Sequence, residues 1–250
     1  MTPVVSDLII TLAGFGAGMV NTIVGSGSLI TFPTLLSLGY SPLVANVSNT
    51  LGLVPGSASG AFGYRRELVD QKSRAIRLGG VALAGGLIGA FLLVSFPGAF
   101  QKIVPYLIIA AVVLMILQPR ISKALAKRDG TGLEHGVLYI GVFLTAIYGG
   151  YFGAAQGVVL LALLAIGIDD SLQRLNGLKN ILAGLVNGIA AMFFIAVTHI
   201  AYLPALLIAL SSIVGAQVGA RVGRKIPSNI LRAIVVTVGI GVAAKLIFFA

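Results

Sequence analysis

Polar residues that could bind an anion lie at two interruptions of otherwise apolar sequence. The candidate ligand-binding residues are Gly25, Ser26, Gly27 and Ser28 at the first interruption, and Gly153, Gln156 and Gly157 at the second. A short apolar segment, 28–38 or 157–166, follows each interruption. The first backbone N–H groups of a helix have no intrahelical partner, and together with the helix dipole they attract anions. The sequence therefore predicts an anion site here; glycines that merely allow close helix packing are the alternative.

A polar patch also opens the long apolar segment that follows each interruption. The patches hold Asn46, Ser48 and Asn49 in the first half of the chain, and Asn176, Lys179 and Asn180 in the second. Spacings of three and four residues place such side chains on one helix face. Lys179 lies well inside its apolar segment, where an ionisable residue is usually functional. We expect Lys179 to bind the anion; extension of its side chain to the membrane surface near Ser171 is the alternative.

The rest of the sequence offers little for catalysis. All seven acidic residues and both histidines fall at the ends of apolar segments or between them, and the chain has no cysteine. The sequence contains no Ser/His/Asp arrangement, metal-ligand cluster or Walker-type loop. We therefore expect neither an enzyme nor a bound cofactor or metal. A proton relay or a conventional cation site would also lack a buried carboxylate.

The segments that position these residues are those of a membrane protein. Of the 250 residues, 58% are hydrophobic and 10% are charged, whereas a soluble domain has about a quarter charged residues. Each crossing needs about 20 apolar residues, so the chain has room for roughly eight helices. The apolar runs do not alternate with polar residues, which favours helices over a barrel. Apolar segments are predicted at 7–24, 28–38, 42–63, 76–95, 101–118, 135–152, 157–166, 171–197, 203–220 and 230–249.

The basic residues indicate the topology. The net charge of +10 lies mainly between the apolar segments, so we interpret it as a membrane-orientation signal and not as a sign of nucleic-acid binding. If each interruption lies within one broken crossing, the basic residues divide weakly, ten to six. If each interruption is the tip of a hairpin that returns to its starting face, fourteen lie on one face and only Lys102 and Lys245 on the other, with Lys179 left aside. The positive-inside rule favours the hairpins and places both termini outside the cytoplasm.

The two halves of the chain repeat one pattern. One constant shift aligns Gly25 with Gly153, Gly39 with Gly167 and Gly60 with Gly188, and a slightly larger shift aligns Gly85 with Gly215 and Gly89 with Gly219. The predicted fold is an all-α, polytopic membrane domain of two repeats, 1–119 and 134–250, joined by a cytoplasmic linker, 120–133. With a hairpin and three crossings in each half, the second repeat is inverted relative to the first. Secondary transporters have this architecture and bind substrate between the repeats; chance matching in a glycine- and leucine-rich chain is the alternative.

Three segments of the first half resemble one family of bacterial membrane proteins. These are Gly14-Phe15-Gly16-Ala17-Gly18, the run 25–33 from Gly25 to Pro33, and the run 39–48 from Gly39 to Ser48, with an echo that begins at Gly153. The sequence resembles the sulfite exporter TauE/SafE family over essentially its whole length. The resemblance implies a multi-pass transporter of the bacterial inner membrane for anions such as sulfite, sulfoacetate or other sulfur and organic acids. The second interruption, Gly-Ala-Ala-Gln-Gly at 153–157, departs from the family's glycine-rich pattern.

We expect a secondary transporter that exports a small anion. A membrane potential that is negative inside drives anions outward by about 2.3 kcal/mol per charge per 100 mV, so export needs no coupling ion. The expected partners are the anionic substrate and the lipid bilayer, and the sequence does not specify an oligomeric state. Coupled uptake with sodium, transport of a cation or neutral metabolite, and a non-transporting membrane scaffold are the alternatives.

Overall fold

The described part of the computed structural model is all-helical. It covers residues 2–125 and 135–222, with positions 233, 236, 237, 240 and 241. These residues form nine α-helices and no β-strand. The helices are α1 (Pro3–Ile23), α2 (Ser28–Ser37), α3 (Pro42–Gly63), α4 (Lys72–Ser95), α5 (Pro97–Leu125), α6 (His135–Tyr151), α7 (Gln156–Gly167), α8 (Leu172–Val197) and α9 (Tyr202–Val222). The predicted helical class is confirmed.

Nine of the ten predicted apolar segments correspond to one helix each. The tenth, 230–249, lies almost wholly outside the described residues, as does most of the predicted linker. Helix α5 continues to Leu125, past the predicted end at 118, because loss of apolar character ends a membrane segment without ending a helix. Among the described helices, α1, α4, α5, α8 and α9 are long and apolar enough to cross a membrane.

Helix α3 has the length of a membrane span but is too polar to be recognised as one. Its polar side chains at 46, 48–50 and 57 are buried. The helix packs against α1, α2, α5, α8 and α9. Since its partners are other helices over much of its surface, it can carry polar groups that would be costly in contact with lipid.

Helices from different halves of the chain form the main packing interfaces. Helix α1 packs against α9, and α6 packs against α4. Likewise α3 packs against α9, α8 packs against α4, and α3 and α8 contact one another. If α1, α3 and α4 are replaced by α6, α8 and α9, in that order, and the reverse, the same set of packing contacts is obtained. Neither half therefore completes its own core.

Small residues allow these interfaces to be close. A Cβ on Gly18 would collide with the Ser212 backbone of α9, and a Cβ on Gly89 with the Ile147 carbonyl oxygen of α6. Gly14 and Gly85 meet the same two helices. These four glycines therefore permit close helix packing. Gly16 does not contribute in this way, because the nearest atom to its Cβ position is a side-chain carbon at 3.8 Å.

Candidate functional site

The first interruption is a sharp break between α1 and α2. The amides of Val24 and Gly25 both donate to the carbonyl of Val20, at 2.8 and 3.2 Å, and this ends α1. Gly25 has a φ of +87°, a left-handed conformation that glycine adopts without steric cost. Helix α2 then begins at Ser28, and the Leu29 amide donates to the carbonyl of Ser26 at 3.1 Å.

The second interruption repeats this geometry between α6 and α7. The amides of Phe152 and Gly153 both donate to the carbonyl of Tyr148, at 2.9 and 3.1 Å, and Gly153 has a φ of +76°. Gly25 and Gly153, which the repeat aligns, therefore end their helices in the same way. One difference follows at Ala155, whose φ of +59° is left-handed although it is not glycine.

The two breaks touch each other through their backbones. The Gly157 amide donates to the Gly25 carbonyl at 3.1 Å. A Cβ on Gly25 would lie 2.5 Å from the Gly157 Cα, and a Cβ on Gly157 would collide with Gly25 in turn. The amides of Gln156 and Val158 also have acceptors, in the carbonyls of Gly153 and Ala155. In this conformation the first amides of α7 are thus engaged with the protein and not open to a ligand.

Lys179 lies in the interior, beside the end of α1. The side chain has no solvent exposure, and Nζ donates to the carbonyls of Asn21 at 3.0 Å and Thr22 at 3.3 Å. The alternative interpretation, in which the Lys179 side chain extends to the membrane surface, is therefore wrong. An ammonium is favourable at the negative end of a helix dipole. Two of its three N–H donors are used by these carbonyls.

Asparagines of the polar patches cap the broken helices of the opposite half. The Nδ2 atoms of Asn176 and Asn180 donate to the Thr22 carbonyl at 3.1 and 3.3 Å. In the first half, Asn46 Nδ2 donates to the Tyr151 carbonyl at 3.0 Å. Asn46 and Asn176 each lie four residues after the first residue of their helix, Pro42 or Leu172, and each donates to a carbonyl just before the glycine break of the other half. Helix α8 thus supports α1, and α3 supports α6.

Three buried polar atoms at the breaks make no hydrogen bond with any described residue. They are Asn46 Oδ1, Asn176 Oδ1 and Gln156 Nε2. The carbonyl partners of the two asparagines fix which atom is the amide nitrogen, so the free atoms are acceptors. Leaving a buried polar group unpaired costs about 1–3 kcal/mol. These atoms are therefore suited to groups of a bound ligand.

The remaining predicted residues have other partners. Ser48 Oγ accepts from the Ala201 amide at 2.9 Å, just before α9, and Asn49 Oδ1 accepts from the Thr31 hydroxyl of α2. The Ser26 hydroxyl lies 3.4 Å from Met115 Sδ, and Ser28 begins α2. The structure brings Lys179, Asn176 and Asn180 together at α1, while Ser48 faces a different element.

Sequence reasoning missed two contributions. The backbone carbonyls of Asn21 and Thr22 bind the polar patch of α8, and their only signal is that they precede a glycine break by one turn. The Tyr148 hydroxyl donates to the Ala154 carbonyl at 2.6 Å and so holds the second tip. The Asn21 side chain donates to Ser57 Oγ at 3.3 Å and so joins α1 to α3.

A charged network fixes the start of α8. Asp170 pairs with Arg74 of α4 and with Arg174 of α8, both at 2.9 Å. Arg174 also donates to the Val69 carbonyl, and the Gln71 side chain donates to the Arg174 carbonyl at 3.0 Å. Burial acts to raise the pKa of Asp170, but hydrogen bonds from Arg174, the Ser171 amide and Arg74 outweigh it and hold that pKa below its ordinary value.

The fold and these contacts define a multi-pass helical membrane protein with two broken helices and a buried polar centre. The family described as Sulfite exporter TauE/SafE matches residues 10–246. The chain belongs to this family. It is a membrane transporter and not an enzyme.

Bacterial relatives carry similar descriptions. The chain is 25% identical over 235 residues to "Probable membrane transporter protein YfcA" of Escherichia coli K12, covering 93% of this chain and 86% of the relative. It is 25% identical over 247 residues to a "Probable membrane transporter protein" of Haemophilus influenzae, covering 96% and 94%. It is 27% identical over 239 residues to "Probable membrane transporter protein ORF9" of a Sinorhizobium species, covering 94% and 90%. No solved structure matches the chain significantly.

Proposed function

We propose that the protein is a secondary transporter that exports a small anion, such as sulfite, sulfoacetate or a related sulfur or organic acid. The observation that carries this proposal is the complete burial of Lys179. Its hydrogen bonds go only to backbone carbonyls, so no carboxylate among the described residues neutralises it at contact distance. A buried charge is costly unless paired. An anionic substrate that meets the third N–H would supply the counter-charge.

The proposed substrate site lies near the membrane midplane and includes both breaks. Its residues are Gly25, Ser26, Gly27, Ser28, Asn46, Ser48, Asn49, Gly153, Gln156, Gly157, Asn176, Lys179 and Asn180. Lys179 and the free amide nitrogen of Gln156 are suited to the oxygens of an anion. The free oxygens of Asn46 and Asn176 accept hydrogen bonds, which suits a protonated or hydroxylated acid. Because the two breaks touch, substrate entry requires their separation.

The hairpin arrangement is part of the proposal. A Cβ on Gly141 of α6 would lie 3.0 Å from Leu163 of α7, and a Cβ on Gly167 would lie 2.9 Å from Leu138. Early residues of α6 thus meet late residues of α7, as they would if α7 turns back along α6. Across the first break, a Cβ on Gly27 would likewise lie against the Ala17 carbonyl of α1, as expected if the chain turns back along α1. The exchanged packing of helices between the halves supports a two-fold repeat, which we propose to be inverted.

Lys179→Gln tests the anion site. Since a buried hydrogen bond to a charged group contributes about 1.5–3 kcal/mol, we expect anion affinity to fall roughly ten- to a hundredfold. Lys179→Arg keeps the charge and should retain part of the affinity. Affinity is measured on purified protein with sulfite and sulfoacetate, and efflux on proteoliposomes whose interior is made negative.

The matched control is Lys102→Gln, which removes a charge from an exposed position at the start of α5 and should leave affinity unchanged. Unaltered anion affinity in a folded Lys179→Gln protein would reduce Lys179 to a cap of α1 and remove the basis of the proposal.

Single cysteines test the membrane orientation, because the natural chain has none. From the division of basic residues we propose that both termini lie outside the cytoplasm, in the inner membrane of a bacterium. Cysteine at Arg66 should react with an impermeant thiol reagent only from the cytoplasmic side, and cysteine at Tyr40 or Ala201 only from outside. Cytoplasmic labelling at position 40 would contradict the hairpins and restore a single broken crossing.

A further inference from the structure

A polar cleft of about 300 Å³ lies apart from the two breaks, where the starts of α4 and α6 meet the end of α7. Its polar lining comes from Ser73, Arg74, Arg77, Tyr139 and Asp169. None of these residues belongs to the proposed substrate site. The cleft therefore has its own ligand chemistry.

The charged side chains of the cleft include both signs, and only some of them are in ion pairs. Arg74 is already paired with Asp170 at 2.9 Å. The side chains of Arg77 and Asp169 make no ion pair or hydrogen bond with any other described residue. Among the described residues, therefore, one guanidinium and one carboxylate of the cleft have no partner, and the hydroxyls of Ser73 and Tyr139 line the same cleft. A ligand that complements this lining carries both a negative and a positive group.

Exposed apolar side chains occupy the same helix turns as the cleft residues. Ile76 of α4 is 64% exposed, and Val137 and Ile140 of α6 are 50% and 62% exposed. They precede or follow lining residues in the sequence and therefore lie on flanking faces of the same helix turns. In a membrane protein such exposed side chains face hydrocarbon. A polar cleft of mixed charge bordered by an apolar surface fits a molecule with a zwitterionic head and an apolar tail.

We propose that this cleft binds the headgroup of a phospholipid with a primary ammonium, of the phosphatidylethanolamine type. Arg77 binds the phosphate, for which a guanidinium is well shaped, and the hydroxyls of Ser73 and Tyr139 can donate to it. Asp169 accepts hydrogen bonds from the ammonium. The acyl chains lie on Ile76 and Ile140. A trimethylated choline head cannot donate to Asp169, and a glycerol head offers it no positive charge.

Lipid binding to the purified, delipidated full chain tests the proposal. Native mass spectrometry and thermal stabilisation are measured with phosphatidylethanolamine, phosphatidylcholine and phosphatidylglycerol of identical acyl chains. We expect phosphatidylethanolamine to bind about tenfold more tightly than phosphatidylcholine, since a hydrogen bond to a charged group is lost. Tighter binding of phosphatidylglycerol than of phosphatidylethanolamine would overturn the assignment.

Two variants separate the two ends of the headgroup. Asp169→Asn should abolish the preference for phosphatidylethanolamine over phosphatidylcholine, and Arg77→Gln should weaken all three lipids. The control is Lys72→Gln. It removes an exposed charge at the start of α4, the helix of Arg77, and Lys72 does not line the cleft. A preference that survives Asp169→Asn would contradict the proposed contact with the ammonium.

Soluble phosphoethanolamine distinguishes a lipid from a free metabolite, because it carries the same headgroup chemistry without the apolar tail. It should compete with the lipid only at far higher concentration. Competition at equal concentration would show that the acyl chains contribute nothing and would refute a lipid site.

Discussion

The break after α1 and the break after α6 have the same backbone geometry, but different side chains support them. At the first break, three side chains of α8 donate to the last carbonyls of α1: Asn176, Lys179 and Asn180. At the second break, one side chain of α3 donates: the Asn46 amide, to the Tyr151 carbonyl. A cation is therefore present at one break and absent from the described contacts of the other.

We use this difference to separate residues that support the breaks from the proposed substrate contact. Asn46 and Asn176 each donate to a carbonyl at the break of the other half, so their common task is to pair carbonyls that a broken helix leaves without partners. Counted from the helix starts, Pro42 and Leu172, the residue of α3 that corresponds to Lys179 is Asn49, which accepts from the Thr31 hydroxyl within its own half. The residue that breaks the symmetry is the one expected to distinguish substrates.

The contact between the breaks should be the most sensitive point. Gly157→Ala inserts a methyl group against the Gly25 backbone, which cannot rotate away as a side chain could. Overpacking of this kind costs about 1–3 kcal/mol or more, so we expect a lower melting temperature and a severe loss of transport. Melting temperature is measured in detergent and efflux in proteoliposomes.

The matched control for that change is Gly188→Ala. Gly188 is also helical, but no atom lies within 4 Å of the position its Cβ would take. Since alanine favours helix by about 0.5–1 kcal/mol over glycine, this variant should be as stable as the natural protein or more so. Equal behaviour of the two variants would show that the breaks are not held together at Gly157.

Replacing Asn46 or Asn176 with alanine should lower the free energy of unfolding by different amounts. Asn46→Ala leaves the Tyr151 carbonyl without its side-chain partner, which costs about 1–3 kcal/mol for a buried group. Asn176→Ala leaves Thr22 with Lys179 and a second amide, so its cost should be nearer the roughly 0.5–1.5 kcal/mol of one ordinary hydrogen bond. The free energy of unfolding of both variants is compared by denaturant titration. Equal losses would mean that the extra donors of α8 add no support.

Much of the fold could be predicted from the sequence because hydrophobic runs and glycine breaks are local signals. The apolar run at 42–63 predicts a helix, and α3 has the same bounds. The sequence also predicts that the polar residues of this run bind a ligand directly. That remains a prediction; the structure adds that Asn46 and Asn176 bind backbone carbonyls and that Ser48 supports the start of α9.

The partners of these residues could not be predicted, because they are set by how the two halves meet. The pattern that aligns Gly25 with Gly153 does not reveal that Gly25 contacts Gly157. Burial of Lys179 against α1 likewise depends on the crossing of helices from different halves. A single sequence records which positions are polar, but the identity of a partner far along the chain, such as Asn21 for Lys179, is a property of tertiary packing.

Helices α3 and α8, whose side chains cap the breaks, also differ at their own N-termini. Ser171, before α8, accepts from the Arg174 amide and adjoins the Asp170 network, whereas Ser41, before α3, makes no side-chain cap. The folded pKa of Asp170 is below its ordinary value. Its stabilisation is therefore complete above the unfolded pKa of about 3.9 and is lost as pH falls through the folded pKa.

The smallest expected effect comes from removing this carboxylate. Partly exposed ion pairs contribute about 1 kcal/mol or less. We therefore expect Asp170→Asn to lower the melting temperature slightly at pH 7 and to flatten its dependence on pH below about 4, relative to the natural protein. Asp169→Asn, measured without added lipid, is the control because Asp169 makes no ion pair with the described residues. If Asp170→Asn and the natural protein lose stability in parallel on acidification, the network does not anchor α8.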